Sequence, residues 1–481
     1  MYRLMNNRLS RVIGFLLILV SVSRTGISSP ASAQDIIPSD PPLRWWKGNT
    51  HTHSLWSDGN DFPEMIAEWY RTHGYNFLVL SDHNVLSQGI RWMKVSSIIK
   101  RGGAEFGEKV VPKYLDRFGD HWVQTRGTPG TDDYEVRLKP LNEFRSLVEQ
   151  RGEFIMMSGE EISDEAAGMP VHMNVANVHK VIKPLGGRTA REAMAANLRA
   201  VLAQEEKTGR EMFVHLNHPN FHYAVTAEDL AAVLMERFLE VYNGHPAVHH
   251  GGDGSHPSTE RMWDIANTIR VAQARTAPLF GMATDDSHEY HKPTSSRLSQ
   301  SGRGWIMVRA RHLTPESLVR AIKRGDFYAS SGVRLREIRF DDQDQTLQLE
   351  IEPELGVTYS TQFIGTLVGY DPTSSEVVVE EEEEDGEEDA KDKVDSPAER
   401  EAPPAPITRH YSEDVGMVLA VVEGDRPVYY LSGQEYYVRA VVTSNKPPPN
   451  PSFSGQFEQA WTQPVGWEEW LGPSSDLDIS N

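Results

Sequence analysis

Cysteine is absent from the 481 residues, which removes disulfides, thiolate-bound zinc, iron–sulfur clusters and thiol nucleophiles together. Any metal must be held by histidine and carboxylate. Basic charge is scarce, with 48 Lys and Arg against 69 Asp and Glu and a formal charge of −21. That is the opposite of the footprint that bulk binding to nucleic acid needs. Long apolar runs are also missing. Ile13 to Val20 is too short to cross a bilayer, and no later run approaches the ~20 residues a spanning helix requires. What is present is a chain that is 39% hydrophobic, long enough for two or three domains at about 150 residues each.

The short apolar run sits in a segment, residues 1–33, that carries four Arg and no acid. Ala31-Ser32-Ala33 before Gln34 fits the small-x-small cleavage pattern, so 1–33 reads as a signal peptide rather than an uncleaved anchor. The expected product is secreted or periplasmic and free of the membrane, with 481 − 33 = 448 residues and a charge of −21 − 4 = −25.

Sixteen of the 18 histidines lie between His51 and His291, and short apolar runs alternate there with helical patterns. The runs 77–80, 154–157, 171–178, 212–214, 239–242 and 279–282 read as buried parallel strands. Helices are expected over 62–73, 140–151, 189–207, 226–236 and 259–274, with Thr226 and Asp229 spaced as an N-terminal cap. Such alternation implies an α/β fold, as an open sheet or a closed barrel. Residues 86–138 interrupt the rhythm with Gly102-Gly103, Gly127 and Pro129-Gly130 and read as a long loop, either a lid or collar or a surface insertion. A further helix starts at Thr314-Pro315. From Val333 the pattern alternates with period two, predicting a small all-β, sandwich-like domain over 333–481 after a catalytic domain over 34–332. Nine of the ten residues 380–389 are acidic, so 371–407 reads as a disordered loop inserted between two strands.

The chemistry lies in six clusters that follow these strands. His51-Thr52-His53 puts two imidazoles on one face, as two ligands of one ion require. Asp58-Gly59 stands five residues on in the same cluster, and Asp82-His83, Glu160-Glu161, His172, His215-Leu216-Asn217-His218 and Asp285-Asp286-Ser287-His288 make the other five. A lone histidine at a strand end is usually a structural hydrogen-bonder. A repeated placement of ligand-competent residues is not explained that way.

From about 45 to 332 the sequence resembles the PHP (polymerase and histidinol phosphatase) superfamily of metal-dependent hydrolases, and within it the carbaryl-hydrolase-like (CehA/McbA) branch. The family's H-x-H is similar to His51-x-His53, its S-D-G to Ser57-Asp58-Gly59 and its T/S-D-H to Ser81-Asp82-His83. Its G-x-E-I-S is similar to Gly159 through Ser163, its H-P to His218-Pro219 and its D-x-H to Asp286-Ser287-His288. The resemblance implies a distorted (β/α)7 barrel with two or three divalent metal ions at its mouth, and nitrogen and oxygen ligation leaves their identity open among Zn, Mn and Fe. It implies one ion on His51, His53, Glu161 and Asp286, a second on Glu161, His172 and His218, and a third on Asp58, His83 and His288. Glu160 and His215 are the alternatives to Glu161 and His218, which the motif frames favour.

A carboxylate can bridge two cations, and water shared between them is brought toward neutral pKa as a hydroxide nucleophile. This makes a phosphoesterase acting on a small anionic ester the leading expectation. A carbamate, ester or amide hydrolase with the same site is the alternative, and a non-catalytic metal-containing binding protein the rival from another class. Asp82 is a candidate proton shuttle or an orienter of a ligand histidine. Arg297 and Arg303 are candidates to grip a phosphate, against a default of surface arginine. Asn243 and His245 are candidates for substrate contact and catalysis, against structural roles.

Export generates the first testable expectation. Intact-mass measurement of the secreted protein should find an N-terminus at Gln34, whereas Met1 retained in membrane fractions would contradict the cleavage.

Overall fold

Parallel pairing of the first apolar runs sets out the half of the molecule that carries the histidine motifs. A computed structural model of the chain describes residues 41–377 and 405–471. The expected signal peptide lies outside the described residues, as do the acidic run 380–389 and most of the loop expected around it. β1 (Arg44–Asn49), α1 (Pro63–Thr72) and β2 (Phe77–Leu80) come first. The region expected as a loop then forms β3 (Arg91–Lys94), α2 (Val95–Phe118), β4 (Thr125–Arg126) and β5 (Glu135–Leu138). α3 (Leu141–Val148), β6 (Ile155–Ala166), β7 (Met169–Ala176), α4 (Ala190–Thr208), β8 (Phe213–Leu216), α5 (Ala227–Ala232), β9 (Phe238–Asn243), α6 (Thr259–Thr268) and β10 (Phe280–Thr284) follow.

Helix starts follow local chemistry. Pro63 opens α1, Thr189 caps α4 through the Glu192 amide, and Thr226 with Asp229 forms a reciprocal capping box on α5, each satisfying amides that a helix leaves unpaired. Residues 86–138 are a correction to the expected loop. β3, β5 and β4 pair as a small sheet, and α2 runs across Gly102-Gly103 because Gly103 takes φ 78° and kinks it. Ile98, Val110, Val111 and Tyr114 of α2 pack with Leu55, Trp56 and Phe62, so the insertion is anchored on the segment following His53.

One thirteen-stranded sheet runs β10-β9-β8-β7-β6-β2-β1 and onward through β11 (Trp305–Ala310) and β12 (Phe327–Ser330), α7 (Pro315–Lys323) lying between these two in sequence. β1 with β2, β2 with β6, β8 with β9 and β9 with β10 are parallel. β7 departs from the expected parallel run, lying antiparallel to both neighbours because it forms a hairpin with β6. Beyond the strands, the segments after β1 and β10 bond to each other: Thr52 bridges Ser287, His53 N donates to Ser287 O at 3.0 Å and Asp286 N to His51 O at 3.0 Å. Trp46, Phe77, Val79, Met157, Ala176, Phe213, Phe238, Phe280 and Met282, from β1, β2 and β6 to β10, meet in one buried cluster.

The β-rich remainder comprises β13 (Leu335–Asp341), β14 (Thr346–Ile351), β15 (Tyr359–Leu367), β16 (Ser374–Ser375), β17 (His410–Tyr411), β18 (Met417–Glu423), β19 (Val428–Tyr430), β20 (Glu435–Ser444) and β21 (Gln459–Trp461). β13, β14 and β19 form a separate sheet whose Leu335, Leu347 and Leu349 pack with Phe363, Val438 and Val442. β21, β20, β15 and β18 instead continue the large sheet from β12, with Ala329 opposite Trp461. Hydrogen bonding therefore crosses the position where the sequence places a domain boundary, and the described residues from Pro42 on form one compact unit.

Arg439 of β20 fastens this remainder to α6. It is 1% exposed, its guanidinium donates to Asp264 Oδ1 at 2.8 Å and Oδ2 at 2.6 Å, and it lies over the Trp263 ring. Truncating one member of a buried pair leaves the other charge unpaired, so Arg439→Ala should cost about 3–5 kcal/mol by urea unfolding. The double variant Arg439→Met, Asp264→Leu should recover most of that loss; no recovery would show that the pair is not the source of the stability.

Candidate metal centre

The backbone brings the ligand-competent side chains together by three devices. Past β1 the chain stays extended, so His51 and His53, two residues apart, point the same way. A tight turn then folds Asp58 back, and it depends on Gly59, where a Cβ would come within 2.4 Å of His53 O. Asp82, after β2, holds this turn: its carboxylate accepts from Ser54 N and Ser54 Oγ at 2.8 Å, Ser57 N at 3.0 Å and Ser57 Oγ at 2.6 Å. In the β6–β7 hairpin, Glu161 lies opposite Asn174 and Ser163 opposite His172, so Glu161 and His172 share a face inside strands rather than sitting at strand ends. His218 and Asp286 close the set with φ 25° and 48°, a left-handed conformation costly for residues with a Cβ and typical of functional sites.

All nine expected ligands converge. His53, Asp58, His83 and His288 form one group; His51, His218 and Asp286 a second; His51, His53 and Glu161 a third; Glu161, His172 and His218 a fourth. Within each group the ligand atoms lie within 4.8 Å of one another. Glu161 is at the centre. Its Oε1 lies 3.5 Å from His51 Nε2, 3.1 Å from His172 Nδ1 and 3.6 Å from His218 Nε2, and its Oε2 3.4 Å from His53 Nε2 and 2.7 Å from His83 Nδ1. Asp286 Oδ1 stands 3.1 Å from both His51 Nε2 and His53 Nε2, and Asp58 reaches His83 and His288 at 3.4 Å. His53 joins both the Asp58 and the Glu161 groups, a sharing the sequence did not indicate.

These residues fit divalent cations. His51 Nε2, His172 Nδ1 and Glu161 Oε2 are buried and, though close to one another's side chains, are aligned for no hydrogen bond among the described residues, which costs stability unless another group satisfies them. A donor set of imidazole nitrogen and carboxylate oxygen suits Zn, Mn or Fe alike. Protonation shows the same demand for positive charge. Burial opposes ionisation of Glu161 most strongly, yet His83, His51 and His172 outweigh it and hold its pKa well below the usual range. Burial likewise works against charge on His51, but Asp286, Glu240 and Glu161 raise its pKa well above normal. His83 is raised to about 11 in spite of its burial, by Glu161 and Asp58, whereas burial together with His288 and His83 lowers His53 to about 3. The buried carboxylates of the site call for positive charge around them.

Exposure defines the open side. The side chains of His51, His53 and Glu161 are 0–1% exposed, whereas His172, His288, His83 and Asp58 are 18%, 22%, 28% and 55% exposed.

Adjacent alternatives separate cleanly. Glu160 points away from the ligand groups, its Oε1 accepting from Ile182 N at 2.7 Å, and burial pushes its pKa to about 7. His215 is in none of the ligand groups; its Nε2 lies 3.2 Å from Thr50 Oγ1 and burial lowers it to about 4.

Several expected site residues stand elsewhere. Arg303 is 1% exposed and spends its guanidinium on the carbonyls of Gly244, Leu298 and Ser295 and on Asn450 Oδ1, so it grips loops and has no donor for a phosphate. Arg297 is exposed, with its amide donating to Ser295 Oγ at 3.3 Å. Asn243 is fully buried behind the ligands, donating to Glu240 Oε2 at 2.8 Å and Asp286 Oδ2 at 3.1 Å, and so positions Asp286 rather than substrate. Asp82, with four donors from Ser54 and Ser57 on its carboxylate, stands as the orienter of the turn that leads to Asp58. His245 stands beside the centre, its ring 5.7 Å from that of His288 and its Nδ1 accepting from Ala247 N.

Glu240 was missed. Buried in β9, it accepts from His51 Nδ1 at 2.8 Å, Thr284 Oγ1 at 2.7 Å, His218 N at 2.8 Å and Asn243. Burial would raise its pKa, but His51 leads a set of neighbours that brings it to about 2. A carboxylate on the far nitrogen of a ligand imidazole fixes its tautomer and orientation. The only sequence signal was an acid within an apolar strand. Asn217, which donates to Glu161 Oε1 at 2.7 Å, was visible inside its motif but carried no assigned role.

No protein-family model and no curated protein matches the sequence. Among solved structures, the chain is similar to a two-domain protein from Bacteroides vulgatus described as containing a predicted PHP-like metal-dependent phosphoesterase. The match has TM-score 0.33 and 14% identity over 70% of this chain and 83% of that one. It is similar also to PsfC from Pseudomonas syringae, at TM-score 0.30 and 12% identity over 58% and 88%. A third is a putative metal-dependent phosphoesterase from Bifidobacterium adolescentis, at 0.25 and 14% over 55% and 94%. Likeness at this level decides nothing about the chemistry, which rests on the geometry.

That geometry separates the adjacent glutamates. Glu161→Gln should remove most bound metal, because a central carboxylate loses charge and an anionic oxygen together, while Glu160→Gln should retain metal within about tenfold of the wild-type affinity. Glu240→Gln should weaken metal binding about 10–100-fold. Elemental analysis of the purified variants checks all three, and the reverse order for the two glutamates would place the wrong one at the centre.

Proposed function

We propose that the protein is a metal-dependent hydrolase of small anionic esters, a phosphoesterase of the PHP kind, and that β1, β2 and β6–β10 form its seven-stranded distorted barrel. The convergent hydrogen bonds between the ends of β1 and β10 and the shared interior cluster support the barrel. The observation that carries the function is Glu161, buried and reached on its two oxygens by five imidazoles. Divalent cations held there would activate water and offset charge that develops on the attacked group.

The chain's own residues do the remainder. His51, His53, Glu161 and Asp286 are fit to hold one ion; Glu161, His172 and His218 a second; Asp58, His83 and His288, with His53, a third. Three divalent ions would bring about six positive charges against three ligand carboxylates, and the excess favours an anionic substrate. Glu240 and Asn243 fix His51 and Asp286, and Asp82 fixes the turn before Asp58. His245 is the residue assigned to contact substrate: with Nδ1 taken by Ala247 N, its neutral ring carries the proton on Nε2 and donates from there. The export signal belongs to the same reading, an enzyme working outside the cytoplasm.

The test is turnover of matched aryl phosphate monoester, diester and carbamate by protein of measured metal content. The monoester should be turned over fastest, and chelation should abolish activity that added metal restores. A preference for the carbamate would move the attack from phosphorus to carbon, and metal-loaded protein inert toward all three would contradict the hydrolase.

A further inference from the structure

A cleft of about 770 Å³ opens beside the ligand His172. One wall is the β6–β7 hairpin where it runs past the ligand positions, contributing Glu165, Met169 and Pro170; opposite are Pro184 and, from the turn after His218, Phe221 and His222, and Ala405 also lines the cleft. Met169, Pro170, Pro184, Phe221 and Ala405 give it apolar surface, and among the described residues no lysine or arginine lines it. Its two carboxylates differ. Asp164 is spent inside the fold, accepting from Gly186 N at 2.9 Å, Asn197 Nδ2 at 2.8 Å and Glu165 N at 2.8 Å. Glu165 is exposed and its carboxylate has no partner among the described residues.

The aromatic wall is held in place. Phe221 N donates to His218 O at 2.8 Å, its ring centroid lies 5.0 Å from that of His218 and 5.9 Å from that of His245, and Asn220 ties the turn to the His249 and Pro257 carbonyls at 2.9 and 3.0 Å. His222 and Tyr223 both take φ near +50°, a conformation that persists only where surrounding contacts enforce it. The cleft is therefore largely preformed, as ligand sites usually are.

We infer that this cleft receives the leaving group of the substrate and selects an apolar ring or chain that is neutral or cationic, rejecting one that carries a second anion. The inference rests on the phosphoesterase reading, in which the metal centre takes the one anionic group. A second phosphate or carboxylate on the leaving group would meet Glu165 and, among the described residues, no lysine or arginine, and like charges brought together with nothing to compensate them discriminate between ligands by repulsion. Nucleotides, bisphosphates and phosphorylated acids are thereby excluded, and phosphate esters of aromatic or alkyl alcohols and amino alcohols fit.

The test uses full-length protein loaded with Zn or Mn and three unhydrolysable probes, phenylphosphonate, 4-carboxyphenylphosphonate and 4-(aminomethyl)phenylphosphonate, with affinity read by calorimetry. The carboxy probe should bind about tenfold more weakly than the aminomethyl probe, and Glu165→Lys should reverse their order. Phe221→Ala should weaken all three by about tenfold through lost apolar contact, with metal content unchanged. Equal affinity of the two charged probes, or an order that Glu165→Lys leaves intact, overturns the assignment. Failure of all three to bind overturns it together with the phosphoesterase reading. Probes that rank as stated while the matching phosphate esters are not hydrolysed support the cleft and sink only the hydrolase.

Discussion

A carboxylate sealed from water with imidazoles on both of its oxygens constrains everything around it. Glu161 is 1% exposed, and burying an ionised carboxylate without matching positive charge is prohibitive. The fold meets that demand by directing His51, His53, His83, His172 and His218 at it from the segments after β1, β2 and β8 and from β7. Those histidines then need partners of their own. Glu240 takes the far nitrogen of His51, Asp286 faces His51 and His53, and Asp58 faces His83 and His288. The layering is carboxylate, imidazole, carboxylate, with little room for solvent until the open side at Asp58.

The backbone bears the cost of this convergence. His218 and Asp286 adopt left-handed φ values, and each is held by bonds that leave it no alternative: Glu240 accepts the His218 amide, and the Asp286 amide bonds to His51 O. The bond from Asp286 also helps join the ends of β1 and β10, so ligand placement and the meeting of the strands are one event. Asp285 next to it accepts from Tyr70 Oη and from the amides of Gly302, Arg303 and Gly304. The centre is thereby tied to α1 and to the segment leading into β11. The β-rich remainder shares the same sheet through β12 and β21, which links its stability to that of the centre.

Much of this was legible in the sequence because the ligands sit in compact motifs after apolar runs, where residue type and spacing carry the chemistry. Alternation along a strand says that only one of Glu160 and Glu161 can face the site, and the G-x-E-I-S frame of the resemblance picks Glu161. Other features left no local trace. Apolar periodicity reports burial and not direction, so the reversal of β7 was invisible. The Gly102-Gly103 pair reads as a break although one kinked glycine lets α2 continue. Arg303 looks like an anion grip in sequence, but its role is set by carbonyls of loops distant in the chain. Glu240 stands alone in an apolar strand, where nothing nearby announces a histidine 189 residues away. Pairing of β12 with β21 joins positions far apart in sequence, which no local pattern encodes.

The central claim is that Glu161 is the carboxylate around which the metal ions gather. Anomalous diffraction from crystals of metal-loaded protein tests it most directly. The account predicts one peak on each side of the Glu161 carboxylate, the first beside His51, His53 and Asp286 and the second beside His172 and His218, with any third peak beside Asp58, His83 and His288. Peaks confined to places away from Glu161, or metal bound with Glu161 outside ligand distance of it, would contradict it.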